Sequence, residues 1–215
     1  MSTSTLPAPS RRRVGALGLV LGGLTVGVVT AGVVLLAGDH DGVPDDGPHR
    51  LLPPEAAGTS YRTGDAVLPE GAERTVEAFG VEDATTVNAN YARGEEQFAI
   101  FAGAYGRVED PAHAVDAAFA QLDAAVAQAP DPTTELRGEP ERVTPQGAED
   151  AVVKCRLAVG TGLRSEEPQE TQFCMWADHS TAGMVVVSRA SGRISREEAA
   201  RFTADLRHSA RLPAS

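Results

Sequence analysis

Lysine is nearly missing from this chain: Lys154 stands alone, and every other basic side chain is arginine. Aromatic residues make up only 5% of the sequence, with a single tryptophan, so a core must be built from Val, Ala and Leu around a few rings. There are two cysteines, too few for a disulfide-dense scaffold or an all-cysteine zinc site. Positive charge is scarce as well. The formal net charge is -11, and a surface this acidic repels phosphate backbones, which excludes nucleic acid as a natural partner. No nucleophile elbow of the G-x-S-x-G type, H-E-x-x-H helix, phosphate loop or dinucleotide fingerprint occurs. The recognised enzyme signatures are absent, and no cofactor is implied.

What the chain does have is one long stretch without charge. Val14 to Gly38 reads VGALGLVLGGLTVGVVTAGVVLLAG. At helical rise it would span roughly 37 Å, enough to cross about 30 Å of hydrocarbon with some tilt. Arg11, Arg12 and Arg13 stand directly before it, and Asp39, Asp41, Asp45 and Asp46 follow. Those arginines are the only charges before residue 39, so 16 of the 19 basic residues remain to face all 30 acidic ones, a net of -14. By the positive-inside rule, residues 1–13 are expected in the cytoplasm, 14–38 as a transmembrane helix of the plasma membrane, and the acidic body outside. A cleaved signal peptide is the competing reading. The run is longer than a usual signal core, and no A-x-A pattern follows it. Asp39 also occupies the place that a lipidated cysteine would need after Leu36-Ala37-Gly38.

Within that run, Gly15, Gly18 and Gly22 share a helical face with Thr25 and Gly32. Gly18 with Gly22, and Gly23 with Gly27, form small-xxx-small pairs. Such pairs let two membrane helices approach closely, so homodimerisation or docking to another membrane protein is one expectation. A glycine-rich composition also scatters such pairs through any apolar run. Residues 39–60, dense in Asp, Gly and Pro, read as a disordered stalk. Asp39-His40-Asp41-Gly42 and Asp45-Asp46 suggest hard-cation ligands, but the spacing of a calcium loop is missing and a solvated acidic stretch accounts for them better.

The folded domain is expected over 61–212 as α+β: an antiparallel sheet of about five to six strands with two helices. Thr85 to Tyr91 alternates, with Val87, Ala89 and Tyr91 on one side. Phe98 to Tyr105 is almost continuously apolar, as in a central strand covered on both faces. Asp110-Pro111 signals a helix start, and Val115, Phe119, Leu122 and Val126 mark its buried stripe. Asp150 to Ala158 and Gln172 to Ala177 are further strands, and Asp178 to Thr181 turns the chain into Met184 to Val187. Ser195 and Glu198 have the spacing of a capping box before a last helix buried at Phe202 and Leu206. Phe98–Phe101 precedes Met184–Val187 by the same offset that separates Gly106-Arg107-Val108 from Gly192-Arg193-Ile194. That offset allows a duplicated strand-strand-helix unit.

Cys155 and Cys174 each fall in an expected strand of an exported domain and read as a structural disulfide. Trp176 lies two residues on, on the same strand face, where it packs beside the bond. Among possible catalytic groups, Asp178-His179-Ser180 is too contiguous for a relay, whose members must converge from separated positions. Glu95-Glu96 and Glu166-Glu167 sit in polar, turn-like stretches.

The stretch Cys174-Met175-Trp176-Ala177-Asp178-His179-Ser180-Thr181-Ala182-Gly183 resembles a C-x-W-A-D-x-x-T-x-G segment of uncharacterised actinobacterial membrane-anchored proteins and lipoproteins. The arginine-only, Ala/Gly/Val/Pro-rich usage is similar to that of GC-rich actinobacterial genomes. The resemblance implies an exported domain with a disulfide and implies no activity. The reading that results is a single-pass membrane protein with a non-catalytic extracytoplasmic binding or interaction domain. A cell-envelope hydrolase and an accessory subunit docking through its membrane helix are the alternatives.

Overall fold

A computed structural model describes residues 42–67, 72–129, 134–161 and 168–214. The expected membrane helix at 14–38 lies outside the described residues, and so do its helix-packing candidates Gly15, Gly18, Gly22, Gly23 and Gly27. Among the described residues no helix is long and apolar enough to cross a membrane.

The fold is α+β and larger than expected. Thirteen elements follow in order: β1 (His49–Leu51), β2 (Ala56–Ala57), β3 (Ser60–Gly64), α1 (Ala72–Glu77), β4 (Val81–Arg93), β5 (Gln97–Val108) and α2 (Pro111–Ala127), then β6 (Thr134–Val143), β7 (Val152–Thr161), β8 (Pro168–Ala177), β9 (Thr181–Arg189), α3 (Arg196–Ala210) and β10 (Arg211–Pro213). Eight strands form one antiparallel sheet in the order β2-β3-β4-β5-β9-β8-β7-β6, and β1 pairs with β10 in a separate ribbon. The sheet therefore has eight strands instead of five or six, and three helices are described instead of two.

Burial on both faces explains the composition of the central strands. On β8, Cys174 and Trp176 point to one face while Phe173 and Met175 point to the other. Helix α3 covers the first face through Ala199, Phe202 and Leu206. Helix α2 covers the second through Ala114, Val115, Phe119 and Leu122. β5 lies between β4 and β9, covered on both sides, as its apolar run predicts. Asp110 caps α2 by accepting from the His113 N–H at 2.9 Å, with Pro111 in the first turn. Ser195 caps α3 by accepting from the Glu198 N–H at 3.1 Å, and the Glu198 carboxylate pairs with Arg189.

The two hairpin–helix units are not rotated copies. β5 and β9 lie side by side and antiparallel, so a two-fold axis normal to the sheet would relate their hairpins. That axis would keep both helices on one face, yet α2 and α3 sit on opposite faces. The units have opposite hand, which argues against the duplication that the matching offsets suggest.

The expected stalk also needs correction. Val43 packs against the core on the α2 side, and Leu51 and Ala57 belong to the core on the α3 side. Leu51 is 3% exposed and Ala57 fully buried, and β1 pairs in register with β10. Pro-rich composition limits regular structure but does not prevent a few apolar residues from docking when a partner strand satisfies the backbone.

Candidate functional site

Two regions stand out, and one of them brings together residues that the sequence singles out. The first is the turn between β8 and β9. Asp178, 1% exposed, accepts from the backbone N–H of Ser180 (2.9 Å) and of Thr181 (2.8 Å). It accepts as well from their hydroxyls, at 3.0 and 2.6 Å. Arg207 of α3 donates to the same carboxylate from Nη2 at 2.8 Å, and reaches Asp150 with a two-point contact at 2.8 and 2.9 Å. Arg211 lies 3.2 Å from Asp178 and pairs with Asp46. A buried carboxylate is tolerable only with this many donors and cations around it.

The neighbouring residues of the motif have mechanical tasks. Trp176 stacks on Phe101 with centroids 5.7 Å apart. It also lies over Gly183, its cross-strand partner, where any Cβ would overlap the indole ring. Cys155 and Cys174 face each other in register across β7 and β8, with Cα atoms 4.1 Å apart, and form the expected disulfide.

His179 is pinned: Nδ1 lies 3.1 Å from the Val108 carbonyl oxygen and Nε2 3.2 Å from that of Val43. Ser180 Oγ lies 3.5 Å from His49 Nδ1, but that same nitrogen faces the Gly47 carbonyl at 2.8 Å and Asp46 at 3.8 Å. A serine relay needs the serine and the carboxylate on opposite ring nitrogens. This corner ties residues 43–49 and 207–211 to the sheet.

Of the acidic residues in 42–46, Asp46 reaches the same corner and Asp45 closes a local turn. Asp45 accepts from the Gly47 N–H at 3.0 Å and Asp46 pairs with Arg211. Arg211, through its hydrogen bonds, holds the Asp46 carboxyl below the usual carboxylate range. Among the described residues no group of three or more His, Cys, Asp or Glu side chains could hold a metal ion. Glu95 and Glu96 are exposed in the β4–β5 turn, and Glu166-Glu167 lie outside the described residues.

The second region was not foreseen. Between α2 and the sheet lies an open cavity of about 210 Å³. Its floor includes Ala102 and Ala104 of β5 and Ala182 of β9, and its roof includes Ala114, Ala118 and Ala125 of α2. Short side chains from both layers meet there, so the space is left unfilled. Val76 and Phe79, from and just after α1, line one end. The polar side chains among its described lining residues are Thr75, Gln121 and Thr134, and none of them is ionisable; Trp176 also borders the space, on a strand whose indole points to the α3 face. On the same face Lys154 pairs with Asp116 and Arg156 with Asp123 of α2. Such a cavity can exclude water and hold an apolar molecule, and it offers no acid, base or nucleophile.

A sequence signal for it existed in the alanines that interleave the Val115–Phe119–Leu122 stripe, and in the Ala-Gly-Ala run at 102–104. Each reads as ordinary helix or strand filling. Only the pairing of the two small-residue faces makes a void. Comparison with family models, curated proteins and solved structures finds no match for this chain.

Proposed function

We propose that the domain is a non-catalytic binding module that takes an uncharged, apolar guest of the acyl-chain class beneath α2. It would act outside the cell, held near the membrane by the apolar run at 14–38. The observation that carries this reading is the alanine-lined cavity, open at one side and free of ionisable groups among its described lining residues. Ligand sites are concave and mostly apolar, with few polar groups, and this one fits that description at the small end. The disulfide supports an oxidising compartment, as three arginines ahead of an uncharged run support the orientation.

The volume bounds the guest. At about 30 Å³ per water-sized group, the space holds roughly seven methylenes. Burying them yields about 6 kcal/mol at ~0.8 kcal/mol each, an affinity on the order of 10–100 μM.

The only tryptophan, Trp176, points to the α3 face, so occupancy is read from a second indole placed on the cavity wall by Phe79→Trp, which serves as the wild-type background. In the full chain, reconstituted in lipid nanodiscs, 1-bromooctane is expected to quench its fluorescence through the heavy atom. Ala118→Leu and Ala104→Leu should weaken that quenching at least tenfold while the unfolding midpoint holds or rises, because the added methyls enter existing space. Saturable quenching that is absent in the wild type, or unchanged in both filled variants, would defeat the proposal.

A further inference from the structure

Met175 and Met184 are two of the chain's three methionines, the third being Met1, and both line the cavity beneath α2. They oppose each other in register across β8 and β9, so their Cβ atoms stand about 5 Å apart on one floor. Met175 is 4% exposed and Met184 is half-buried. On its other side Met184 faces Ala102 of β5, whose methyl is too short to cover a thioether. Leucine would supply similar volume, so packing alone does not call for sulfur at both positions. The cysteine sulfurs are already joined to each other, fully buried and on the α3 face. Among the described residues, the cavity floor is therefore where an oxidant entering from solvent meets a reduced sulfur.

We infer that Met184, with Met175 beside it, is an oxidation site that switches guest binding off. This rests on the cavity being a guest site, as proposed above. The oxidant is a small peroxide, which the open cavity admits when no guest fills it. The thioether sulfur takes one oxygen atom from hydrogen peroxide: an S–O bond forms, the O–O bond breaks, and the other oxygen leaves with both hydrogens as water. Sulfur is oxidised by two electrons, the peroxide is reduced, and the methionine becomes its sulfoxide. The new oxygen is a strong acceptor on a floor whose described lining offers no cation and few donors. An alkyl chain laid over it would strip its water without replacing the hydrogen bonds, so guest affinity falls. The converse also holds, since a seated guest covers Met184 and slows its oxidation.

The test uses the full chain carrying Phe79→Trp, in nanodiscs of saturated lipid, treated with hydrogen peroxide while free methionine in solution serves as the clock. Peptide masses are expected to show one added oxygen at Met184 before Met175, and saturating 1-bromooctane should slow that step severalfold relative to the clock. Once Met184 is oxidised, the 1-bromooctane concentration for half-maximal quenching should rise about tenfold or more, the scale of one unpartnered buried acceptor. Near-UV circular dichroism should show the domain still folded. Met184→Leu conserves volume and should keep its affinity through the same treatment. Several results would overturn the switch and leave the cavity reading standing: a Met184 that takes no oxygen while the clock is consumed, an oxidation rate that bromooctane does not alter, or an affinity unchanged by full oxidation. A loss of affinity that Met184→Leu shares, or that comes only with unfolding, would do the same. If 1-bromooctane does not quench the untreated protein, the cavity reading falls and takes the switch with it.

Discussion

On the α3 side of the sheet the side chains are large and interlocked. Trp176 stacks on Phe101, Tyr91 meets Phe202 edge-on at 6.3 Å, and the disulfide ties β7 to β8. The Tyr91 hydroxyl donates to the Pro54 carbonyl at 2.9 Å, and burial pushes its ionisation up to about 12. On the α2 side the same strands present alanines to an alanine-bearing helix, and a void remains. The two faces share one backbone, so the difference lies in side-chain choice alone. A face built for stability spends its volume on contacts; a face left short of atoms has given up packing energy, and retained space is what a guest needs.

Substitutions should separate the faces in sign as well as size. Asp178→Ala is expected to cost most, about 3–5 kcal/mol, because it takes the buried counter-charge from between Arg207 and Arg211 and removes the acceptor that closes the β8–β9 turn. Urea unfolding would show this as a large fall in midpoint; a change under about 1 kcal/mol would mean that the corner is solvated and the contrast between faces is false. Replacing both cysteines by alanine comes next, at about 3 kcal/mol for a bridge spanning 19 residues. Bromooctane binding should survive in that variant, since the bond lies on the opposite face from the cavity. Loss of binding at conditions where the variant is still folded would show that the faces are coupled. Against both stands Ala118→Leu, for which stability holds or rises while binding is lost.

Much of the α3 face was legible along the chain because its signals are local. Val87, Ala89 and Tyr91 alternate within one strand, Ser195 and Glu198 cap within one turn, and both cysteines sit in recognisable strands. What escaped is non-local. β6 reads TELRGEPERV, polar and broken by Gly138 and Pro140, and resembles a loop until it is seen as the sheet's edge, paired only with β7. An edge strand needs charge and proline to discourage further pairing, so its sequence hides its structure. β1 and β10 are three residues each and exist only because the two ends of the domain meet. The cavity was hidden for the same reason, since a void belongs to two facing surfaces and to neither segment alone.

Acidification should produce the smallest effect, to which the corner on the α3 side contributes alongside the Glu170–Arg193 pair. Burial disfavours ionised Asp150, but the hydrogen bonds and charge of Arg207 outweigh it, and Arg211 does the same for Asp46, so both carboxyls ionise below their ordinary value of 3.8. A depressed folded-state value means that the stabilisation is present above the unfolded value and fades as pH falls through the folded one. Stability should therefore be level from pH 7 to about 5 and decline below about 4. With side-chain exposures of 35% for Asp150 and 42% for Asp46, each pair contributes less than about 1 kcal/mol after solvent screening. Asp46→Asn and Asp150→Asn should each flatten that decline, seen as a smaller loss of unfolding midpoint between pH 5 and pH 3, while bromooctane quenching of the folded protein stays constant. An acid decline equally steep in both variants would place the sensitive carboxylates elsewhere, and a matching decline in guest binding would move them to the α2 side.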